Sequence, residues 1–188
     1  EKFDVITADP IHPWTQGSGY LYTTEYFKMA SEKLLPDGIM CQWLPIYELS
    51  IEDLKSVLKT FSIHFRYTMS WLTHTDVVLL GSKFPLFIDE DELEKRIAYP
   101  SISNDLKQVM MGSAEDLLSY FLMGTDSIEA FSKGGIMNTD DNLYLEFSAP
   151  LSKDKNVMGK NVSVINRYRE SILAYLMPAK DERAGEER

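Results

Sequence analysis

Short apolar runs and stretches of helical spacing alternate through the first half of the chain. Val5-Ile6-Thr7-Ala8 has the β-branched, apolar character of a strand, and a loop rich in Gly, Pro and Trp follows it. From about Thr24 to Leu35 the period changes to that of a helix. Phe27, Ala30 and Leu34 share one face, Thr23 is the expected N-cap, and Pro36-Asp37-Gly38 is the expected stop. Ile39 to Leu44 is continuously apolar, which predicts a strand buried on both faces as in a parallel sheet. Ser50-Ile51-Glu52-Asp53 resembles a capping box, and Leu54, Val57, Leu58 and Phe61 continue it as an amphipathic helix. Strands over 66–72 and 77–81 are separated only by Thr73-His74-Thr75-Asp76, a connection that joins antiparallel neighbours. The predicted order is β-α-β-α-β-β, ending in a hairpin.

Beyond Asp89 the pattern turns helical. Leu93 and Ile97 mark one short helix, and Ser113-Ala114-Glu115-Asp116 caps another that carries Leu117, Leu118 and Phe121. Gly134-Gly135 breaks the pattern, and Asn138-Thr139-Asp140-Asp141 leads into an apolar stretch, Leu143 to Phe147. Ile165, Tyr168, Ile172, Leu173 and Leu176 predict a final amphipathic helix ended by Pro178. The expected organisation is a partial Rossmann-like core over 1–88, a helical part of the same domain over 89–178, and a charged, frayed tail over 179–188.

Composition narrows the classes of partner. The 188 residues are 44% hydrophobic and carry a net charge of −10, with 29 acidic against 19 basic side chains. Nucleic-acid binding needs a basic stripe, which this chain lacks, and an anionic membrane surface is equally disfavoured. No apolar run reaches the length of a membrane span. Cys41 is the single cysteine, which fits a reducing, cytoplasmic compartment. His12, His64 and His74 have no metal-ligand spacing, so no metal is expected. The chain opens at Glu1, three residues ahead of a core strand, and so reads as a domain cut inside its sheet. Such a cut leaves an unpaired strand edge, and self-association as a homodimer is expected.

The candidate chemistry sits at two strand ends. Asp9-Pro10-Ile11-His12-Pro13-Trp14 follows the first strand and Gln42-Trp43 ends the second, with Tyr20, Tyr22 and Tyr47 close by in sequence. Open α/β sheets bind ligands outside the carboxyl ends of their strands. A carboxylate with aromatic walls suits an amine, although Asp-Pro is also ordinary turn chemistry and the rings also suit core packing. Asp140 and Asp141 either close the pocket or form a solvated turn before a strand.

Three blocks carry a resemblance to a known family. They are Phe3-Asp4-Val5-Ile6-Thr7-Ala8-Asp9-Pro10, Leu21-Tyr22-Thr23-Thr24-Glu25-Tyr26-Phe27, and Leu35-Pro36-Asp37-Gly38-Ile39-Met40-Cys41-Gln42-Trp43. In that order, with Asn138-Thr139-Asp140-Asp141 and Leu145-Glu146-Phe147 further on, they resemble the C-terminal half of spermidine synthases. The likeness is to the divergent bacterial branch, whose members are often fused to membrane segments. It implies the second half of a doubly wound, S-adenosylmethionine-dependent transferase fold. It also implies aminopropyl transfer from decarboxylated S-adenosylmethionine, as co-substrate, to a polyamine. Asp9 takes the place of the family's catalytic carboxylate, and Gln42 that of a strand-end Gln lining the pocket. His12, Trp14, Tyr20 and Trp43 would shape the acceptor site, and Gly17 and Gly19 stand loosely for the turn that touches the adenine. His12 replaces the family's second, diamine-binding acid. The glycine-rich loop that binds the donor would lie upstream, so the chain alone is expected to be inactive. Two alternatives stay open: another S-adenosylmethionine-dependent methyltransferase, or a non-catalytic amine-binding or assembly module.

Overall fold

The computed structural model describes residues 1–9 and 12–178. They form two compact units: 1–85 with 122–170, and 86–121 with 171 onward. The grouping differs from a division at 88/89, because the chain returns to the sheet at Leu122. The tail expected over 179–188 lies outside the described residues.

The first unit is built on a five-stranded sheet of order β1-β2-β4-β3-β5. β1 (Phe3–Ala8) runs parallel to β2 (Leu34–Pro45), joined through a 3-10 turn (Ser18–Tyr22) and α1 (Thr24–Lys33). α2 (Ile51–Ser62) leads to β3 (Tyr67–Leu72) and β4 (Asp76–Ser82), which form the expected hairpin. β4 also pairs antiparallel with β2, so it is inserted between two strands that run the same way. This is a mixed five-stranded α/β sheet with helices, consistent with the Rossmann-like class expected from the sequence. β5 (Phe121–Gly124) and α6 (Thr125–Ser132) complete one side, followed by α7 (Tyr144–Ser148) and α8 (Met158–Ile165).

Side-chain alternation divides the sheet into two faces. Met40, Leu44, Val77 and Leu79 are buried in the core with Phe27, Leu54, Phe61 and Phe65 from the helices and their flanks. Phe27, Phe61 and Phe65 pack in series, the first pair edge to face and the second tilted, with ring centroids 5.1 and 4.5 Å apart. On the opposite face Cys41, Trp43, Val78 and Leu80 are only half-buried, so β2 is not sealed on both faces as expected. Burial raises the Cys41 thiol above its usual range. β1 stands at the free edge of the sheet, where Phe3 and Val5 remain exposed.

Other expectations need correction. α1 stops at Lys33, and the next strand already includes Pro36-Asp37-Gly38, opposite an irregularity in the β1 pairing. The stretch Leu143 to Phe147, expected as a strand after the Asp140-Asp141 turn, enters a helix instead. Leu143 takes left-handed dihedrals, and the side-chain oxygens of Asn142 and Asn138 accept from the N–H groups of Tyr144 and Leu145, which starts α7. The single helix expected to run to Leu176 is broken. After α8 and a 3-10 turn (Asn166–Tyr168), Glu170 N–H donates to the Leu122 carbonyl and its carboxylate accepts from Gly124 N–H. A tertiary pairing has won over helical spacing there.

In the second unit α3 (Glu90–Ile97) and α5 (Ala114–Ser119) form as expected, although α5 ends before Phe121. α4 (Pro100–Gln108) was not foreseen; it buries none of its residues. Ile88 pairs with Leu176 through the backbone, and Phe121 packs on Tyr175 with centroids 5.3 Å apart. Among the described residues no helix is long and apolar enough to cross a membrane.

Two predictions follow from this packing. A Cβ on Gly81 would fall 2.5 Å from Phe65 Cγ and 2.7 Å from Phe61 Cζ, so Gly81→Ala overpacks the aromatic stack. It should lower stability by about 1–3 kcal/mol, read as a reduced urea midpoint at constant m. His64 hydrogen-bonds Thr24, and burial first, then Lys28, holds it below the usual 6.5 despite Glu25 and Glu32. The unfolded chain therefore takes up a proton before the folded one does. Stability should fall as pH drops from 6.5 to the lowered folded value and level off below it. Urea titrations of His64→Asn should show a shallower pH slope across that window.

Candidate functional site

The carboxyl ends of β1 and β2 hold the residues that the sequence singled out. Asp9 follows Ala8 at the tip of β1 and is exposed; Ala8 lies in register with Gln42 on β2. The expected enclosure of Asp9 in a cavity is not seen among the described residues. Its charge nevertheless reaches inward. Tyr22, wholly buried, has its ionisation pushed far up by desolvation first, then by Tyr26, Asp9 and Tyr47. It stays a neutral phenol at any working pH, and its hydroxyl has no hydrogen-bond partner among the described residues.

The loop after Asp9 places His12 within a group of rings. Its imidazole centroid lies 4.7 Å from Trp14, 5.5 Å from Trp43 and 6.1 Å from Tyr47, and Trp14 lies 5.7 Å from Tyr47. His12 Nε2 and Tyr47 OH form a hydrogen bond of 2.7 Å. Burial, then Asp76 and Glu48, raises the Tyr47 phenol, so the pair keeps its hydroxyl proton. All four side chains are half-buried. Ring faces of this kind attract cations, and here the faces nearest one another surround the protein's own imidazole.

Gln42 departs from the expected arrangement. Successive strand residues point to opposite faces, so Gln42 does not share a wall with Trp43. It is fully buried between Met40 and Leu44. Its Nε2 donates to the Trp43 carbonyl at 3.1 Å, and its Oε1 is unpartnered among the described residues. Tyr20 is about half exposed and, with Glu25, Tyr26 and Asp140, lines a different cavity of about 310 Å³. Asp141 is exposed.

Gly17 and Gly19 do not offer a nucleotide cradle in this arrangement. Their N–H groups donate to Glu146 Oε1 and Oε2 at 2.6 and 3.1 Å. Asn138, buried and given no role of its own by the sequence, grips the same place by donating from Nδ2 to the Gly19 carbonyl at 3.1 Å. Its Oδ1 accepts from Leu145 N–H, its N–H donates to Thr60 Oγ1, and its carbonyl accepts from Thr24 N–H. The Asn-Thr-Asp-Asp block is thus a fastening for the loop. Asp140 joins in through its N–H, which donates to Glu25 at 2.9 Å. The remaining histidines lie apart: His64 on Thr24, and His74 exposed in the hairpin turn. No set of metal-ligating side chains converges among the described residues.

No protein-family model matches the chain. Among solved structures it is similar to the crystal structure of a probable spermidine synthase from Corynebacterium glutamicum ATCC 13032, at 17% identity and a TM-score of 0.46. The alignment covers 73% of this chain and 47% of the other, so the chain spans about half the length of that structure.

Asn138→Ala tests the fastening. It strips partners from the Gly19 carbonyl and the buried Leu145 N–H, and should cost about 2–4 kcal/mol, seen as a lowered thermal midpoint.

Proposed function

We propose that this chain carries the amine-acceptor side of an aminopropyltransferase-type site, with a polyamine as the acceptor. The observation that carries the reading is the position of Asp9. It is an accessible carboxylate one residue beyond β1, and three residues further on the loop enters the His12, Trp14, Trp43 and Tyr47 ring group. A polyamine is a polycation at neutral pH, and its attacking nitrogen must lose a proton before its lone pair is free. Asp9 attracts the ammonium, aims the nitrogen and accepts that proton, while the ring faces steady the alkyl-ammonium chain. In the transfer, a bond forms between this nitrogen and the aminopropyl carbon of decarboxylated S-adenosylmethionine. The carbon–sulfur bond breaks, and methylthioadenosine leaves. The residues at Gly17 and Gly19 do not fit the nucleotide part of that donor, because Glu146 takes their N–H groups. Donor binding is therefore assigned to no residue of this chain.

One observation favours a second reading, a non-catalytic amine-binding module. The side chain at the second acidic position is His12, and it is engaged by Tyr47 rather than free to pair with a second ammonium. A single carboxylate supports binding of one cationic group but clamps a diamine poorly.

Calorimetric titration with putrescine and spermidine tests both. Asp9→Asn should weaken binding about two- to fivefold, the scale of one exposed ion pair, with the fold unchanged by circular dichroism. His12→Asp, which restores a second acid, should tighten putrescine binding. Equal affinities in the unsubstituted protein and Asp9→Asn would remove the carboxylate from the site.

A further inference from the structure

We propose that Glu146 is a positioning residue for the ring group at the strand tips, a latch that holds the His12–Gly19 loop from a distant part of the chain. Its bearing on amine binding rests on the function proposed above; the latch itself rests on the loop geometry alone.

The loop is folded as one piece. Thr15 N–H donates to the His12 carbonyl at 2.9 Å, and Ser18 N–H to the Thr15 carbonyl at 3.0 Å. Ser18 Oγ also lies 2.7 Å from the His12 carbonyl and 2.6 Å from that of Thr15. Whatever fixes Gly17 to Gly19 therefore fixes the backbone from which His12 and Trp14 project.

The carboxylate of Glu146 does this fixing. Its two oxygens each take one N–H of the turn, a concave pair of amides of the kind that holds anions. Such charge-assisted bonds are stronger than neutral ones. Gly17 supports the geometry with φ +83°, and a Cβ on Gly19 would sit 2.9 Å from Glu146 Oε2, so side-chain-free backbone is what lets the carboxylate in. No Lys or Arg pairs with Glu146 among the described residues, so the amides are what balance its charge. The helix that presents it is set in place beforehand. Leu143 is held left-handed at φ 41°, and Asn142 and Asn138 take up the first N–H groups of α7. Sequence reading ties Glu146 to neither His12 nor Trp14; the fold couples them through two glycines.

The test is backbone hydrogen exchange of the whole chain, read by NMR, with Glu146→Gln. The amide keeps one acceptor oxygen and turns an NH₂ toward the other N–H. Exchange at Gly17 and Gly19 should quicken about tenfold or more, while amides of the β2–β4 ladder such as Leu79 keep their rates. Cross-peaks between the His12 ring and Tyr47 should weaken in the same variant. Glu146→Asp keeps the charge but is one methylene shorter; it should give an intermediate rise, and serves if the Gln variant does not fold. Unchanged exchange at Gly17 and Gly19, equal acceleration at all amides, or intact His12–Tyr47 cross-peaks would each overturn the latch. Putrescine affinity is measured separately on the same samples. Loosened glycines without any amine binding would sink the proposed function and leave the latch standing.

Discussion

One buried amide holds the first unit's loops to its helices. Asn138 is wholly inaccessible, and its backbone and side-chain groups reach Thr60 on α2, Thr24 on α1, Leu145 on α7 and the Gly19 carbonyl. A buried polar side chain is tolerable when its partners are all supplied, and is then demanding about where they lie. Three stretches of chain, at 19–24, at 60 and at 138–145, are thereby given one relative placement. Asp53 plays a lesser version of the part. It is buried, caps α2 through Ser50, and accepts from the hydroxyl of Ser148, the last residue of α7. Asn161, also buried, donates to the Ile46 and Leu49 carbonyls beyond β2.

Against this rigid background, the strand tips bring unlike groups together. An accessible carboxylate, a neutral buried phenol and a ring-enclosed imidazole lie within a short stretch of chain and within electrostatic reach of Tyr22 or Tyr47. The chemistry that this favours is attraction of a positive group, not expulsion of water from a sealed chamber. Two of the buried atoms without a partner among the described residues, Tyr22 OH and Gln42 Oε1, belong to fully buried side chains rather than to the exposed tips.

Local signals decided what could be read in advance. The alternation over 3–82 set the strand and helix order, because each element there carries its own cap, turn or apolar face. The hairpin was legible from the length of its turn. Elements whose reason lies elsewhere were not. β5 has four residues and looks like the end of a helix; it is the last strand of the sheet, beside β3, where the Ser70 hydroxyl donates to its Met123 carbonyl. Pro36 and Asp37 look like a turn but lie in the irregular start of β2. At the site, Asp9, His12, Trp14 and Trp43 could be named from strand ends alone. Gln42 was named for its strand end, and its complete burial shows only in the fold; the role of Glu146 was missed because its partners lie more than a hundred residues away.

The insertion of β4 between β2 and β3 has a kinetic corollary. The hairpin needs only a few residues to close, whereas β2 must wait for segment 76–82 before its second ladder exists. The order of strands in the sheet thus departs from their order of synthesis. Such non-local closure is slow relative to helix formation, so this margin of β2 stays unpaired until segment 76–82 arrives.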